Sequence, residues 1–375
     1  MSQKGQEPDA LPLAERLRER IRREGAISFR DWMAAALYDE REGYYLRPDL
    51  KRWGRAGDYR TSPERSRLFA ATFARYFARL HEELGSPREW TIFEAGAGGG
   101  HFAHGVLQTL KRDYPQTFQA TSYVIDEVSV DARERTRLLL EEFAARVSFV
   151  PPGENGTPAG EGIVFANELF DAFPVHRVTM RDGVLRELFV GLDDESGFAW
   201  AERDPSNPEL AEYLGRAGVE LFEGQIAEIN LEVGKWLERA FSLFERGYLV
   251  IVDYGAGAAD LYGAPHRRAG TLRAFHRHRL TDEVLAHPGE QDLTTTIDWS
   301  NVERVCAELG FRAVAFERQD KFLLEAGLLE QLERMAQEAG NETEALILRS
   351  SVRELILPGG MSESFQVLVQ SKGRG

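Results

Sequence analysis

The chain has 375 residues, 46 Lys and Arg against 61 Asp and Glu, a net charge of −15 and a single cysteine, Cys306. This acidic balance argues against binding to nucleic-acid backbones and to anionic membrane surfaces, both of which need surplus Lys and Arg. One cysteine excludes an internal disulfide or a multi-thiolate metal site and fits a reducing compartment. Residues 1–12 contain no apolar stretch, so neither a secretory signal nor a transit peptide is read there. The longest apolar runs, 32–38 and 248–252, are too short to cross a bilayer. A cytoplasmic location is the resulting expectation, with no nucleic-acid and no membrane partner. The length suits one α/β core that carries insertions.

Helical periodicity over 13–23 and 29–37 predicts a helical N-terminal segment, residues 1–56, passing through Gly43-Tyr44-Tyr45 into a loop rich in Gly, Arg and Trp. The main domain is expected over 57–375. Its pattern alternates apolar strands and helices, with strands at 92–95, 123–125, 147–150, 162–166 and 248–253, which predicts a mostly parallel sheet covered on both faces. Two stretches are longer than a crossover needs, at about 175–233 and 257–298, and read as inserted cap elements. A helix near 302–309, a strand at 313–316, a helical stretch to 357 and a last strand at 365–369 complete the chain. That last strand is expected at an antiparallel edge.

The strand before Gly96 ends in Ile92-Phe93-Glu94-Ala95 and runs into Gly96-Ala97-Gly98-Gly99-Gly100-His101. Gly96, Gly98 and Gly100 tolerate positive φ and let a ligand lie against the backbone at the carboxyl end of a strand. A dinucleotide fingerprint would place its third glycine at His101, and Glu94 would oppose a pyrophosphate. An acid beside a glycine turn suits instead a ligand with positive sulfonium and ammonium groups and no phosphate, namely S-adenosylmethionine. The next strand ends in Asp126-Glu127, where a carboxylate can accept the hydroxyls of a ribose.

At the end of the strand 162–166 stands Asn167-Glu168-Leu169-Phe170-Asp171-Ala172-Phe173-Pro174, bordering the same crevice. Glu168 and Asp171 are three residues apart, which places both carboxylates on one side of a helical turn, suited to grip a guanidinium and draw off its proton. Helix capping is the bland account of the same residues. Tyr254, in Asp253-Tyr254-Gly255, can line the pocket, and Gln291-Asp292-Leu293-Thr294 is polar enough for a wall of it. In Gly57-Asp58-Tyr59-Arg60-Thr61-Ser62-Pro63-Glu64, capping explains Ser62, Pro63 and Glu64 but does not demand Asp58 or Tyr59. No metal is expected, because His276 and His278 alternate with Arg277 and Arg279.

With these motifs assembled, and with Leu37-Tyr38 and Pro288-Gly289-Glu290-Gln291-Asp292-Leu293-Thr294 added, the chain resembles the MidA family of class I methyltransferases from about residue 27 to 369. The resemblance implies a Rossmann-like fold with a mostly parallel, seven-stranded sheet and helices on both faces, and S-adenosylmethionine as cofactor. It implies a protein substrate carrying an arginine, because a mitochondrial relative in that family methylates one. Glu94, Gly96, Gly98, Gly100, Glu127 and Asn167 are then expected to hold the donor. Glu127 fits the family's ribose acid better than Asp126. Glu168 and Asp171 are expected to be catalytic, and Asp58, Tyr59 and Tyr254 to meet the substrate. The chain departs from the family's Gly-Pro-Gly loop at Ala97, and His101 and Phe102 replace smaller residues. Two other functions fit the same pocket: oxygen methylation of a small metabolite, and a non-catalytic assembly factor that keeps the donor site. A homodimer is left open.

Overall fold

A run of apolar residues long enough for a strand, with no polar alternation, must be covered on both faces, and five such strands build the centre of this molecule. The computed structural model describes residues 11–48, 67–151, 159–276, 279–356 and 364–373. In chain order the strands are β1 (Ile27–Ser28), β2 (Trp90–Ala95), β3 (Thr121–Asp126), β4 (Val147–Phe149), β5 (Ala159–Asn167), β6 (His176–Arg181), β7 (Val184–Leu192) and β8 (Phe198–Arg203). They continue with β9 (Ile226–Ile229), β10 (Phe244–Ala256), β11 (Arg273–His276), β12 (Arg279–Thr281), β13 (Asp292–Thr294), β14 (Ile297–Asp298), β15 (Arg312–Arg318) and β16 (Phe365–Lys372).

The main sheet has the order β15-β16-β10-β5-β2-β3-β4, with β14 added beside the end of β10. Pairing is parallel from β10 through β4, and β16 runs antiparallel to both of its neighbours. The mostly parallel sheet is therefore as expected, but β16 is not its edge. Val367, Leu368 and Val369 are buried on both faces, so β16 needs neighbours on both sides, and β15, with a largely exposed pattern, takes the rim.

One face of the sheet is covered by the helices Arg67–Glu83 and His101–Asp113, which interlock through Phe69, Phe73, Phe77 and Phe102. Phe102 stacks on Phe165 of β5 at 4.2 Å and 7°. Its ring is therefore a core element anchoring the first turn of the helix that follows the glycine loop, and its burial contributes about 2 kcal/mol. The other face is covered by the helices Glu232–Ser242 and Trp299–Leu309.

The two insertions fold into small antiparallel sheets. β6, β7, β8 and β9 form one, which β1 of the N-terminal segment joins through Ile27 opposite Val190. The second sheet is β12-β11-β13. A single apolar cluster joins them: Leu13, Leu17, Trp32 and Leu37 of the N-terminal helices pack with Val175 and Val190 of the first insertion and with Leu285 and Leu293 of the second. The amphipathic N-terminal helices bury their apolar faces in this cluster. Arg16 fastens the segment further with a two-pronged ion pair to Asp39 at 2.7 and 2.8 Å.

Candidate active site

The carboxyl ends of β2, β3, β5 and β10 open into one cleft of about 1100 Å³, walled on its far side by Tyr38 and Tyr45 of the N-terminal segment and by Arg273, Asp292 and Thr294 of the second insertion. A space of this size holds a nucleoside with an amino-acid tail and leaves room for a second reactant.

The donor half is built by the loop after β2. Gly96, Gly98 and Gly100 have φ of 70°, 54° and 76°. Gly96 N–H donates to the carbonyl of Asp126 at 2.8 Å, and Gly98 N–H donates to the Glu127 carboxylate at 2.8 Å. The second Glu127 oxygen accepts from Ser129 N–H at 2.8 Å. Glu127 thus fastens the glycine loop to the end of β3 and lies 7% exposed at the cleft wall. Asp126 instead ion-pairs with Arg239 of the helix Glu232–Ser242. Glu94 is buried below the loop and accepts from the Tyr123 hydroxyl at 2.7 Å. Burial pushes its carboxyl up to about 8; the Tyr123 bond opposes the shift and the nearby Glu127 charge adds to it.

Gly100 is more tightly packed than Gly96. A Cβ there would lie 2.5 Å from Cγ2 of Thr136, whose side chain is fully buried and donates to the Gly98 carbonyl at 3.1 Å. Gly100→Ala is expected to cost about 2–4 kcal/mol, the overpacking adding to the strain of a left-handed alanine. Denaturant unfolding measures this, and a loss below about 0.5 kcal/mol would show that the turn relaxes freely.

The acceptor half starts where β5 leaves the sheet. Glu168 N–H still reaches Val252 of β10 at 2.9 Å, but Glu168 has φ of +50°, and only Phe170–Ala172 form a turn of 3-10 helix. The expectation that Glu168 and Asp171 share one helical turn is therefore corrected: a left-handed residue precedes the helix. Both still line the cleft, because the turn folds over the end of β10. Asn167 donates to Glu168 Oε1 at 3.1 Å. Asp171 is 6% exposed and accepts from the Tyr254 hydroxyl at 2.6 Å. Burial pushes the Asp171 carboxyl up to about 6, with the Tyr254 bond opposing, and burial beside Asp171 pushes the Tyr254 phenol well above its ordinary range.

Asp292 and Thr294 line the cleft, as the polar character of their motif suggested, and Tyr38 and Tyr45 join them from the N-terminal segment. Tyr38 donates to the Ala172 carbonyl at 3.0 Å, Tyr45 donates to the buried Asp292 carboxylate at 2.8 Å, and the two rings stack with centroids 5.5 Å apart. Tyr45 and Asp292 are 247 positions apart, and only their polar or aromatic character within noted motifs pointed to them. Arg273 of β11 lies 5.9 Å from the centre of the Tyr254 ring. Asp58 and Tyr59 lie outside the described residues.

The residues present fit S-adenosylmethionine. Gly96, Gly98 and Gly99 line the cleft together with the acids Glu94 and Glu127, and Asn167 Oδ1 is buried without a hydrogen-bond partner, an acceptor ready for an ammonium.

Comparison with known proteins agrees. The family described as S-adenosyl-L-methionine-dependent methyltransferases matches residues 72–316. A protein from Burkholderia thailandensis, solved bound to S-adenosyl-homocysteine, is 30% identical, covers 98% of this chain and 93% of its own, and superposes with a TM-score of 0.86. The mitochondrial protein arginine methyltransferase NDUFAF7 homolog of Drosophila melanogaster is 27% identical over 96% of this chain and 85% of its own. The human mitochondrial protein arginine methyltransferase NDUFAF7 is 24% identical over 96% of this chain and 84% of its own. The two NDUFAF7 relatives are named as mitochondrial proteins, which overturns the expectation of a cytoplasmic location drawn from the single cysteine, the absence of an apolar N-terminal stretch and the short apolar runs. A single cysteine does not separate one reducing compartment from another. The chain belongs to the S-adenosylmethionine-dependent methyltransferase family, and S-adenosylmethionine is its cofactor.

Proposed function

We propose that the acceptor is the guanidinium of an arginine in a protein substrate. The observation that supports this reading most is the composition of the acceptor half: the carboxyl groups of Glu168, Asp171 and Asp292 beside the rings of Tyr38, Tyr45 and Tyr254. Carboxylates offer paired acceptors to a planar guanidinium, and aromatic faces add attraction for a cation. The names of the relatives as protein arginine methyltransferases agree.

In this reading Glu94, Gly96, Gly98, Glu127 and Asn167 hold the donor, and Gly100, packed against Thr136 and not part of the cleft lining, shapes the turn behind them: Glu127 accepts from the ribose, while Glu94 and Asn167 face the ammonium. When bound, S-adenosylmethionine supplies a methyl on a positive sulfonium, a good leaving group once a nitrogen lone pair is aligned with the carbon–sulfur bond. A guanidinium has no free lone pair until a proton leaves, so Glu168 orients the group and accepts that proton while Asp171, held by Tyr254, supports it from the other side. Tyr254 contacts the substrate, and Asp58 and Tyr59 are assigned to it as well. The N-terminal segment and the insertions at about 175–233 and 257–298 form a cover over a methyltransferase domain of residues 57–375, excluding water from the reaction.

The test uses tritiated S-adenosylmethionine and a lysate of cells lacking this protein. Label recovered as methylarginine after acid hydrolysis of the protein fraction is the expected result. Label found only in small molecules would overturn it in favour of oxygen methylation, and no label at all would favour a binding role.

A pH dependence follows from Glu94. In the free protein its carboxyl is pushed up to about 8, so at neutral pH it is mostly protonated, and pairing with the ligand's ammonium requires that proton to leave. Affinity for S-adenosyl-homocysteine therefore rises with pH, approaching tenfold per unit, until the carboxyl ionises unaided. The ligand's own ammonium, beside its free carboxylate, keeps its proton to higher pH than a peptide terminus, so the affinity levels off once Glu94 is ionised. For the free protein the sign is opposite: a carboxyl whose folded value lies above its unfolded value costs stability as pH climbs from about 4.5 to 8. Calorimetry in buffers of different ionisation enthalpy reads the released proton. A Glu94→Gln variant should lose the rising limb; a profile unchanged by that substitution would remove Glu94 from ammonium binding.

A further inference from the structure

The turn that presents Glu168 has an unusual backbone, and one side chain accounts for its shape. Glu168 sits at φ +50°, a conformation that costs a residue with a Cβ about 1 kcal/mol or more and that persists only where the surroundings impose it. Leaving β5 at this point also removes Leu169 and Phe170 from the sheet ladder, so their N–H groups need acceptors. Both find the same atom. Oδ2 of Asp253 accepts from Leu169 N–H at 3.2 Å and from Phe170 N–H at 3.1 Å, while Oδ1 accepts from the N–H of Tyr254 at 2.9 Å.

Asp253 is fully buried, in β10, one residue after the Val252 carbonyl that receives Glu168 N–H. It is not among the residues lining the cleft, and a buried carboxyl is expensive beside two other acids: burial and the charges of Asp171 and Glu168 push it well above the ordinary range, against the pull of its N–H donors. An apolar residue would fill this space in the sheet more cheaply if packing were all that was required. What an apolar residue cannot do is clamp the turn and the following residue at once, with Glu168 on one side of the clamp and Tyr254, which bonds Asp171, on the other.

We propose that Asp253 is the positioning residue of the acceptor site, fixing Glu168 through the amides of Leu169 and Phe170, and Asp171 through Tyr254. Its carboxyl touches neither reactant. The proposal rests on the reading of Glu168 as the proton acceptor. Asp253→Asn keeps the volume and one acceptor oxygen but sets an NH₂ group against an N–H donor on the other side, so the clamp is broken on one face.

The test is a double-mutant cycle on label transfer from tritiated S-adenosylmethionine into the same lysate proteins, with S-adenosyl-homocysteine affinity measured alongside. Asp253→Asn is expected to leave that affinity within about twofold, because the donor half hangs on β2 and β3, and to lower the transfer rate about 100-fold. Added to Glu168→Gln, it should lower the rate no further, because both changes remove the same function. A merely structural residue would lower donor affinity and transfer together and would multiply with Glu168→Gln. Wild-type transfer by Asp253→Asn, or a multiplied loss in the double variant, overturns the proposal. If Glu168→Gln alone transfers normally, it is the proton-acceptor reading that fails. Should Asp253→Asn not fold, Asp253→Glu, which keeps the charge and moves the acceptors by one methylene, takes its place in the cycle: a loss that does not multiply with Glu168→Gln supports the clamp, and a multiplied loss or wild-type transfer overturns it.

Discussion

Glu168→Gln should lower methyl transfer by about 100-fold or more while S-adenosyl-homocysteine binds as before, a loss in the range of a missing general base. The amide has the same shape and still accepts from Asn167, so the strained turn and its bonds to Val252 and Asp253 survive. What disappears is the negative charge and the capacity to take a proton. Because a guanidinium stays protonated at any physiological pH, a nitrogen lone pair becomes available only as the proton departs, and the acids left behind are poorly placed to take over. Asp171 is already engaged by Tyr254, and Asp253 by three amides. Transfer should not recover at high pH in this variant, whereas a loss caused only by weakened binding would be overcome by more substrate. Normal transfer rates in Glu168→Gln would remove the residue from catalysis. It would leave the donor site untouched.

The donor half was legible because its parts are local. A strand, an acid, a loop of four glycines and a helix occupy positions 92–113, and the second acid follows one helix and strand later, so spacing placed Glu94, Gly98 and the Asp126-Glu127 pair at one end of the sheet, and the family resemblance favoured Glu127 of that pair. Even the choice between the neighbouring acids Asp126 and Glu127 has a physical answer that sequence only hinted at: Arg239, from a helix more than 100 residues away, draws Asp126 aside and leaves Glu127 to the loop.

The acceptor half resisted for the opposite reason. Glu168 and Asp171 look like one face of a helix at a spacing of three, yet a positive φ at Glu168 breaks that periodicity, and nothing in Asn-Glu-Leu-Phe-Asp announces it. The cause lies in Asp253, 85 positions on, whose side chain captures the amides that a helix would have used. Likewise Tyr38 and Tyr45 reach the cleft only because the N-terminal helices bury their apolar stripe against the two insertions, a packing decision made by Val175, Val190, Leu285 and Leu293. The misplacement of β16 has the same origin, since whether an apolar strand ends a sheet depends on what the next segment covers.

Gly98→Val should weaken S-adenosyl-homocysteine binding by about 100-fold or more, the largest effect expected at any single position of the donor half. Two costs combine. At φ +54° a β-branched residue is a steric outlier, and the strain of about 1–3 kcal/mol is relieved only if the loop moves. Movement breaks the bond from Gly98 N–H to Glu127, and with it the clamp that sets the proposed ribose acceptor against the loop. A charge-assisted bond of this kind contributes about 1.5–3 kcal/mol. If the loop stays in place instead, the new methyl groups project into the cleft that Gly98 lines. Either route costs the ligand more than the fold, because the helix His101–Asp113 remains anchored through Phe102 on Phe165. Calorimetric titration therefore separates two outcomes. A variant that melts near the wild-type temperature but binds S-adenosyl-homocysteine at least about 100-fold more weakly places the nucleoside against this loop. One that melts normally and binds within about threefold would mean that the donor rests elsewhere in the cleft, and the roles given to Glu94 and Glu127 would fall with it.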